Sequence, residues 1–470
     1  MKYGIIGGGW AGLLTAYELK KVDPYADIEI LEKSDVNSMG GLLRSETIDG
    51  FTYDTGGPHI LFSRNRAILN SILEILGDNW KEMTRKNYVH FEEHILPYPL
   101  ENGIYLLTPE DRAKIGLGII KNLLRMNENK SWVPDSFYDR AKIGLGIIKN
   151  LLRMNENKSW VPDSFYDWIY KIFGEEMGSR YLEPYNRKIW KRDLTDFDAS
   201  WVFTPGRLPL PSLEDIVYSI AGIETTGYKE QAFFYYPKEG GIQSLFESIL
   251  MKVKNHGVKI FNSVEVKNVK KDILGVWIIN NHFQYDRVIS TMPLDRLMKA
   301  VDAPKDIQLS ASKLDYNSVI VIGFALNQTA PDRIALYVPK GDVVFHRYTW
   351  MSNLVSNSPE GKSNLIVEIT APKNNIPNLD SLMKEAEEGL LKIGVIDKRE
   401  KILHSKAWVH EYGYPVYTKG HKEVREKIMD YINSLGLTSV GRWGSWHYWN
   451  TDKVLEAVEE NTSTVFNSNI

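Results

Sequence analysis

The chain has 470 residues, of which 43% are hydrophobic and 25% are charged, and its formal net charge is −3. Its length predicts two or three domains that share an interface, where ligands commonly bind, and its near-neutral charge argues against nucleic acid as a partner. There is no cysteine, so disulfides, thiolate metal sites and cysteine nucleophiles are excluded.

The N-terminus starts directly with a strand pattern, without the features of a secretory leader. The sequence has no apolar run long enough to cross a bilayer. We therefore expect a cytoplasmic protein that acts on a small molecule and holds no metal ion.

The first predicted elements form a nucleotide-binding turn. A short apolar strand, Lys2–Ile6, is followed by Gly7, Gly9 and Gly12 and by a helix pattern over Trp10–Lys21. Glycines at this spacing let the backbone turn tightly and approach a pyrophosphate, which lies on free N–H groups at the start of a helix. The pattern predicts a dinucleotide site.

Three later features extend this prediction. A second strand, Asp27–Leu31, ends at Glu32, where a carboxylate can accept ribose hydroxyls and disfavours a 2′-phosphate. A second glycine turn, Gly40–Arg44, supplies an arginine. An aspartate-glycine turn then ends in Gly56–His59.

In this order, the three glycine-rich elements resemble a family of flavoproteins that includes amine oxidases, protoporphyrinogen oxidases and UDP-galactopyranose mutases. The resemblance implies FAD bound in an extended pose, with Arg44 near the pyrophosphate and the Gly56–His59 turn beside the isoalloxazine ring. The cofactor-binding residues that it implies in this segment are Gly7, Gly9, Gly12, Glu32, Lys33, Gly40, Gly41, Leu42, Arg44, Gly57, Pro58 and His59.

An unchanged tandem repeat follows, because residues 111–138 recur without a substitution as residues 139–166. Natural repeat arrays drift, so this identity indicates a recent or engineered duplication and not a solenoid. We predict that one copy occupies the ancestral helix position and the other forms an added helix and loop on the surface. The repeated helix has an apolar and a basic face, which favours packing on a helical lobe and also allows contact with a membrane surface or with a second copy in a homodimer.

The segment Tyr185–Asp193 carries basic and aromatic residues and resembles the part of the mutase branch that holds a nucleotide-sugar. Segments His94–Asn102 and Gly56–Ile60 resemble the same branch. The resemblance implies a cationic clamp for a diphosphate and an aromatic side chain that stacks on a base, and the alternative is a basic surface with two core aromatics. The clamp candidates are Arg187, Lys188, Arg192 and Arg207, and the stacking candidates are Tyr185 and Trp190.

Two later segments are similar to those that complete the FAD domain in this family. The first comprises the glycine turn in Tyr236–Leu245 and strands at Val264–Val269 and Val288–Leu294, with Val266 expected near the adenine. The second begins with a strand at Thr438–Val440, and its predicted cofactor-binding residues are Gly441, Arg442, Asn450, Thr451 and Asp452. N–H groups at the start of that last helix would stabilise negative charge on the reduced flavin, and simple N-capping accounts equally for its polar residues.

The predicted fold class is α/β, or α+β overall: a Rossmann-like FAD-binding domain with a substrate domain made of a β-sheet and a helical lobe. We assign residues 1–65, 236–295 and 411–470 to the FAD-binding domain. Residues 66–235 are expected to form the helical lobe, and residues 296–410 the substrate sheet.

The predicted function is that of an FAD-dependent oxidoreductase, in which the substrate transfers a hydride to flavin N5. The stretch Tyr412–His421 resembles protoporphyrinogen-oxidase-like proteins and adds Tyr414 as a substrate-binding candidate. The alternative is a mutase, in which the reduced flavin N5 attacks the anomeric carbon of a nucleotide-sugar. His59 and Arg207 are the catalytic candidates, and a third possibility is a protein with a purely structural flavin.

Overall fold

Helices and strands occur along the whole described part of the chain, and the computed structural model describes residues 1–125, 162–203, 213–225, 232–355 and 358–467. The helices in these ranges are α1 Trp10–Val22, α2 Arg66–Leu76, α3 Pro109–Arg125, α4 Phe165–Met177, α5 Glu183–Trp190, α6 Leu213–Ile220, α7 Gln243–Asn255, α8 Leu294–Ala300, α9 Lys305–Ser312, α10 Leu379–Lys392, α11 His421–Ser434 and α12 Thr451–Asn467. Within these ranges, none of them is both long and apolar enough to cross a bilayer.

The strands of the described residues form two main sheets and three smaller ones. They are β1 Lys2–Ile6, β2 Asp27–Leu31, β3 Ser45–Ile48, β4 Phe51–Asp54, β5 Lys81–Thr84, β6 Asn87–Phe91, β7 His94–Pro97, β8 Phe233–Tyr236, β9 Lys259–Phe261, β10 Val269–Lys271, β11 Trp277–Ile279, β12 Phe283–Tyr285, β13 Arg287–Ser290, β14 Asp315–Leu326, β15 Ala335–Tyr337, β16 Arg347–Trp350, β17 Ser363–Pro372, β18 Ile402–Val416 and β19 Thr438–Ser439.

The first main sheet, the nucleotide sheet, has five parallel strands in the order β19-β13-β1-β2-β9. Its strands come from three separate stretches of the sequence. Helices α1, α7 and α12 contribute apolar side chains to the core on it, including Leu13, Ile249 and Leu455. Parallel strands buried on both faces have continuous apolar runs, and for this reason the sequence predicts the first strand.

The second main sheet, the substrate sheet, has seven strands in the order β18-β14-β17-β16-β15-β6-β7. Its neighbours are antiparallel except for β15 and β6, which are parallel. Strands β14 and β17 are buried along almost their whole length. Because both faces of this sheet are covered, its central strands lack the alternation of polar and apolar residues that marks a half-exposed strand.

The substrate sheet differs from the prediction at its edges. Strands β6 and β7 lie within residues 66–235, which we expected to be helical, yet they join the far end of this sheet. Strand β18 continues to Val416, past the expected boundary at residue 410. A parallel pair such as β6 and β15 is separated by a long crossover, and local periodicity does not reveal such a partner.

The helical lobe contains α3, α4, α5 and α6 around an aromatic core that includes Trp168, Phe173 and Trp190. Residues 111–125, from the first copy of the repeat, lie in α3 and bury Ile115 and Ile119 in this core. The last residues of the second copy begin α4. The remainder of the repeat, residues 126–161, lies outside the described residues.

Candidate active site

A cavity of about 1370 Å³ is lined by residues of both the nucleotide sheet and the substrate sheet. Typical pockets for a single small ligand span about 300–1,000 Å³, so this cavity has room for a cofactor and a second molecule. We call the part near α1 the nucleotide end and the part near β16 and β17 the substrate end.

At the nucleotide end, α1 begins without a side-chain cap and without an acidic residue in its first turn. Its first N–H groups and the positive end of its dipole are therefore free to bind an anion. A Cβ atom on Gly9 would meet nothing within 4 Å, whereas one on Gly12 would lie 1.9 Å from the carbonyl oxygen of Gly7. Gly9 thus leaves open space for a ligand, and Gly12 permits the close packing of helix and strand.

The carboxylate of Glu32 is held in place beside this turn. Its Oε2 accepts a hydrogen bond from the Gly8 N–H at 2.6 Å, and its Oε1 accepts one from the Ser34 N–H at 2.8 Å. A carboxylate has about four acceptor positions. The remaining ones can accept the hydroxyls of a ribose in the cavity that Glu32 lines.

The aspartate-glycine turn is anchored from behind by Asp54. Its fully buried carboxylate accepts hydrogen bonds from Ser45 Oγ at 2.7 Å, from Tyr236 Oη at 2.6 Å and from the Ile242 N–H at 3.1 Å. Burial raises the pKa of Asp54 to about 6 despite these donors. The contacts tie the turn to the start of α7 and so fix the cavity wall at Gly57.

Most predicted cofactor-binding residues line the cavity. They are Gly7, Gly9, Glu32, Lys33, Gly40, Gly41, Leu42, Arg44, Gly57, Pro58, His59, Val266, Arg442, Asn450 and Thr451. Val266 does so from a loop, because the strand there begins only at Val269. The free helix N-terminus, the open space at Gly9 and the fixed carboxylate together fit a dinucleotide.

Three predicted cofactor residues are placed elsewhere. Gly12 and Gly441 are buried in packing contacts, the latter against Ala11. Asp452 is buried, and burial raises the pKa of its carboxyl, which interacts with Ser63. Asp452 is not among the residues that line the cavity, and its carboxyl contacts Ser63 instead.

Arg442 lines the cavity, but its guanidinium group hydrogen-bonds backbone carbonyl groups. Its Nη1 donates to the carbonyl of Trp449 and its Nη2 to the carbonyl of Gly413, both at 2.7 Å. The guanidinium thereby holds the segment before α12 against β18. We infer that its main effect on a cofactor is to position Asn450 and Thr451.

At the substrate end, the buried carboxylate of Glu368 forms an ion pair with Arg347, whose side chain is 25% exposed. They are directly opposite each other on the antiparallel strands β16 and β17. Arg347 Nε and Nη2 donate to the two carboxylate oxygens of Glu368 at 2.6 Å each, and Tyr414 Oη lies 3.3 Å from one of them. Burial opposes the charge of Arg347, but the Glu368 carboxylate outweighs it and holds the arginine pKa above its ordinary value.

Five tyrosines, which we call the tyrosine wall, line the same end: Tyr98, Tyr185, Tyr337, Tyr414 and Tyr448. The rings of Tyr98 and Tyr337 are stacked 4.3 Å apart, and those of Tyr414 and Tyr448 meet edge-on at 5.4 Å. Burial raises the pKa of Tyr98, Tyr185 and Tyr414. Their hydroxyls therefore stay protonated. That of Tyr414 donates to Glu368, and those of Tyr98 and Tyr185 can donate hydrogen bonds to a substrate.

The predicted clamp residue Lys188 does not reach the cavity. Its buried ammonium donates to the carbonyls of Val338 at 2.8 Å and Phe345 at 3.2 Å, and also to that of Lys340. Burial lowers the pKa of Lys188 to about 7. The prediction for this residue is wrong, because its ammonium connects α5 to the segment that joins β15 and β16.

The other clamp candidates are also engaged elsewhere or not described. Arg192 forms a bidentate pair with Asp315 at 2.8 and 2.9 Å, and Arg187 pairs with Glu183 at 2.6 Å. Trp190 is a core residue, as the alternative had it, and donates to the Asn186 side chain at 3.1 Å. Arg207 lies outside the described residues.

Sequence reasoning missed most of the substrate end. The residues concerned are Arg85, Tyr98, Tyr337, His346, Arg347, Glu368 and His410, all of which line the cavity. One signal was available, since Glu368 is a single carboxylate within the apolar run Ser363–Pro372. A charge buried in a strand needs a partner, but the sequence does not show which residue supplies it.

The family described as flavin containing amine oxidoreductase matches residues 10–392. The crystal structure of a reduced UDP-galactopyranose mutase is 26% identical, with a TM-score of 0.82 over 99% of this chain and 95% of that one.

Two curated proteins match shorter segments. A Methanothermococcus thermolithotrophicus protein encoded in the nifH2 3′ region is 50% identical over 73 residues, or 16% of this chain. Coproporphyrinogen III oxidase of Staphylococcus aureus is 32% identical over 110 residues, or 23% of this chain. The chain spans 66% of the length of the first relative and 22% of that of the second.

Proposed function

We propose that this chain, which belongs to the flavin containing amine oxidoreductase family and is an FAD-dependent enzyme, acts on a nucleotide-sugar in a mutase-type rearrangement without net redox change. The substrate would occupy the substrate end of the cavity, between Arg347 and the tyrosine wall.

The observation that carries this proposal is the chemistry of the substrate end. A guanidinium and several neutral hydroxyls face the cavity, and the carboxylate there, Glu368, is already bound by Arg347 at 2.6 Å through both oxygens. Among the described residues of the substrate end, an ammonium substrate would meet the fixed cation of Arg347 and a carboxylate already bound to it. An anionic substrate rich in hydroxyls finds complementary groups instead.

Bound FAD supplies a nucleophilic ring nitrogen when reduced and an acceptor of two electrons when oxidised. The chain contributes position and charge around it. Arg347 is oriented by Glu368 before any ligand arrives, so its charge can stabilise negative charge that develops in the cavity without reorganisation. The tyrosine wall donates hydrogen bonds and excludes water from the substrate end.

The whole-length likeness to a UDP-galactopyranose mutase supports this choice, since it covers 99% of the chain at 26% identity. A second candidate is the oxidation of an anionic donor such as a porphyrinogen, with hydride transfer to the flavin. The local likeness to coproporphyrinogen III oxidase favours it, as does the resemblance of Tyr412–His421 to protoporphyrinogen-oxidase-like proteins. Both candidates use the same cations, so electrostatics does not separate them.

An anaerobic assay of one reduced and one oxidised sample of the protein distinguishes the two. The purified protein is reduced with dithionite and mixed with a panel of UDP-sugars, while flavin absorbance and sugar ring form are followed. Conversion of one ring form into another with the flavin still reduced supports the mutase. No sugar conversion, together with bleaching of the flavin when an oxidised sample is mixed with a porphyrinogen, refutes the mutase and supports the oxidoreductase.

The cation requirement has a matched pair of variants. Arg347→Met should lower sugar turnover by about 100-fold or more, because it removes a preorganised charge. Arg192→Met removes an arginine of similar burial whose partner is Asp315 outside the cavity, and turnover should change less than about threefold. Equal losses in both variants would contradict the role given to Arg347.

A further inference from the structure

His346 is a buried cavity residue that none of the proposed steps uses. It precedes β16, and its backbone is fixed on both sides: its N–H donates to the Glu368 carbonyl at 3.0 Å, and its carbonyl accepts from the Val338 N–H at 2.8 Å. The imidazole lines the cavity, although only 1% of the residue is exposed to solvent. The position of the ring is therefore set by the sheet.

The ring lies between two members of the tyrosine wall. Its centroid is 6.4 Å from that of Tyr185 and 6.4 Å from that of Tyr414, both in edge-on orientations. Within the residues that the structure describes, its buried Nδ1 atom has no hydrogen-bond partner. Buried polar atoms are nearly always satisfied, and a ligand in the adjoining cavity can supply the partner that this ring lacks.

The surroundings keep the imidazole neutral. Burial lowers the pKa of His346 well below its ordinary value, and the positive charges of Arg347, Lys188 and Lys191 lower it further. A neutral imidazole carries one N–H donor and one acceptor nitrogen. It can exchange a hydrogen bond with a hydroxyl, whereas the neighbouring arginine can only donate.

We infer that His346 is a specificity-determining residue, whose neutral imidazole hydrogen-bonds one hydroxyl of the substrate's sugar ring between Tyr185 and Tyr414. This inference rests on the nucleotide-sugar proposal and names the group that selects the sugar. A site built to bond a hydroxyl rejects an analogue that lacks it, because its own polar groups are then left without partners.

The test is a cycle of enzyme and substrate changes with FAD-loaded, reduced protein. Wild type and His346→Phe are assayed with the converted UDP-sugar and with its monodeoxy analogues. For one analogue, the wild-type kcat/KM should fall by at least about 100-fold. His346→Phe should lose about the same factor on the parent sugar but no longer distinguish that analogue from the parent.

Two readouts separate hydrogen bonding from a structural effect. Affinity for UDP alone, titrated by flavin absorbance, should be unchanged in His346→Phe, and His346→Gln should recover part of the lost discrimination. The matched control is His90→Phe, since His90 is a buried histidine of β6 that is not among the residues lining the cavity. It should leave the discrimination intact.

The outcomes distinguish the inference from the proposed function. The inference alone is overturned if the wild type converts a UDP-sugar but, for every analogue, the missing hydroxyl lowers kcat/KM by the same factor in His346→Phe as in the wild type. Weaker binding of UDP itself in His346→Phe also overturns it. If the wild type neither binds nor converts any UDP-sugar, the proposed function fails and the inference fails with it.

Discussion

The Arg347–Glu368 pair allows a sharp test of how the substrate end is built. Glu368 has 0% relative exposure and accepts two hydrogen bonds from Arg347 at 2.6 Å. Removing one member of a buried pair leaves an uncompensated charge, at a cost of about 3–5 kcal/mol. We therefore expect Arg347→Met, which leaves the buried Glu368 carboxylate without a partner, to lower the free energy of unfolding by about that amount. Glu368→Leu leaves an arginine that is 25% exposed, so its cost should be smaller.

The double variant gives the decisive comparison. Replacing both members of a buried ion pair by apolar residues of similar volume is often neutral or stabilising. Arg347→Met combined with Glu368→Leu should thus unfold within about 1 kcal/mol of the wild type, yet show no sugar turnover. Urea unfolding followed by tryptophan fluorescence measures stability, and flavin absorbance checks cofactor retention. A double variant as unstable as the sum of the two single variants would refute this reasoning.

Three further predictions concern Gly12 in the nucleotide-binding turn, Asp54 behind the aspartate-glycine turn, and Lys188. Gly12→Ala places a Cβ atom 1.9 Å from the Gly7 carbonyl oxygen, so the purified variant should carry little FAD, measured as flavin absorbance per protein; full occupancy would contradict the N-terminal site. Folding raises the pKa of Asp54 from 3.8 to about 6, so the folded state holds the proton more tightly than the unfolded state does. The free energy of unfolding of the wild type, relative to that of Asp54→Asn, should therefore fall by about 3 kcal/mol as the pH rises from about 4 to about 7. Equal pH profiles for the two proteins in urea unfolding would show that this carboxyl is not perturbed. Lys188→Met leaves three carbonyls without their donor and should cost about 3 kcal/mol of stability. It should change nucleotide-sugar affinity less than about twofold. A large loss of affinity in a stable protein would show that Lys188 is part of the diphosphate clamp after all.

The predicted family, fold class and FAD cofactor are confirmed by the match over residues 10–392 and by the mutase structure. These predictions came mainly from the N-terminal segment, where the physical constraints are local. A glycine that must approach a carbonyl, as Gly12 does, and a carboxylate at the end of the next strand can be recognised from spacing alone. The cytoplasmic location, membrane contact and homodimer stay predictions.

The helical lobe shows where residue type misled the interpretation. Basic side chains in Tyr185–Asp193 indicated a diphosphate clamp, but Lys188 binds backbone carbonyls and Arg192 pairs with Asp315. Each charged side chain on a helix binds the groups that the tertiary structure places beside it. The sequence of the helix does not contain that information.

The sequence by itself determined the nucleotide site, because a strand, a glycine turn and a helix N-terminus specify their own geometry over a short stretch. Only the tertiary structure decided the substrate end. Arg347 and Glu368 become partners through the register of β16 on β17. The tyrosine wall brings together five side chains that are spread over the sequence between Tyr98 and Tyr448. Strand register and helix docking follow from the packing of the whole core, so these contacts are not encoded in any local pattern.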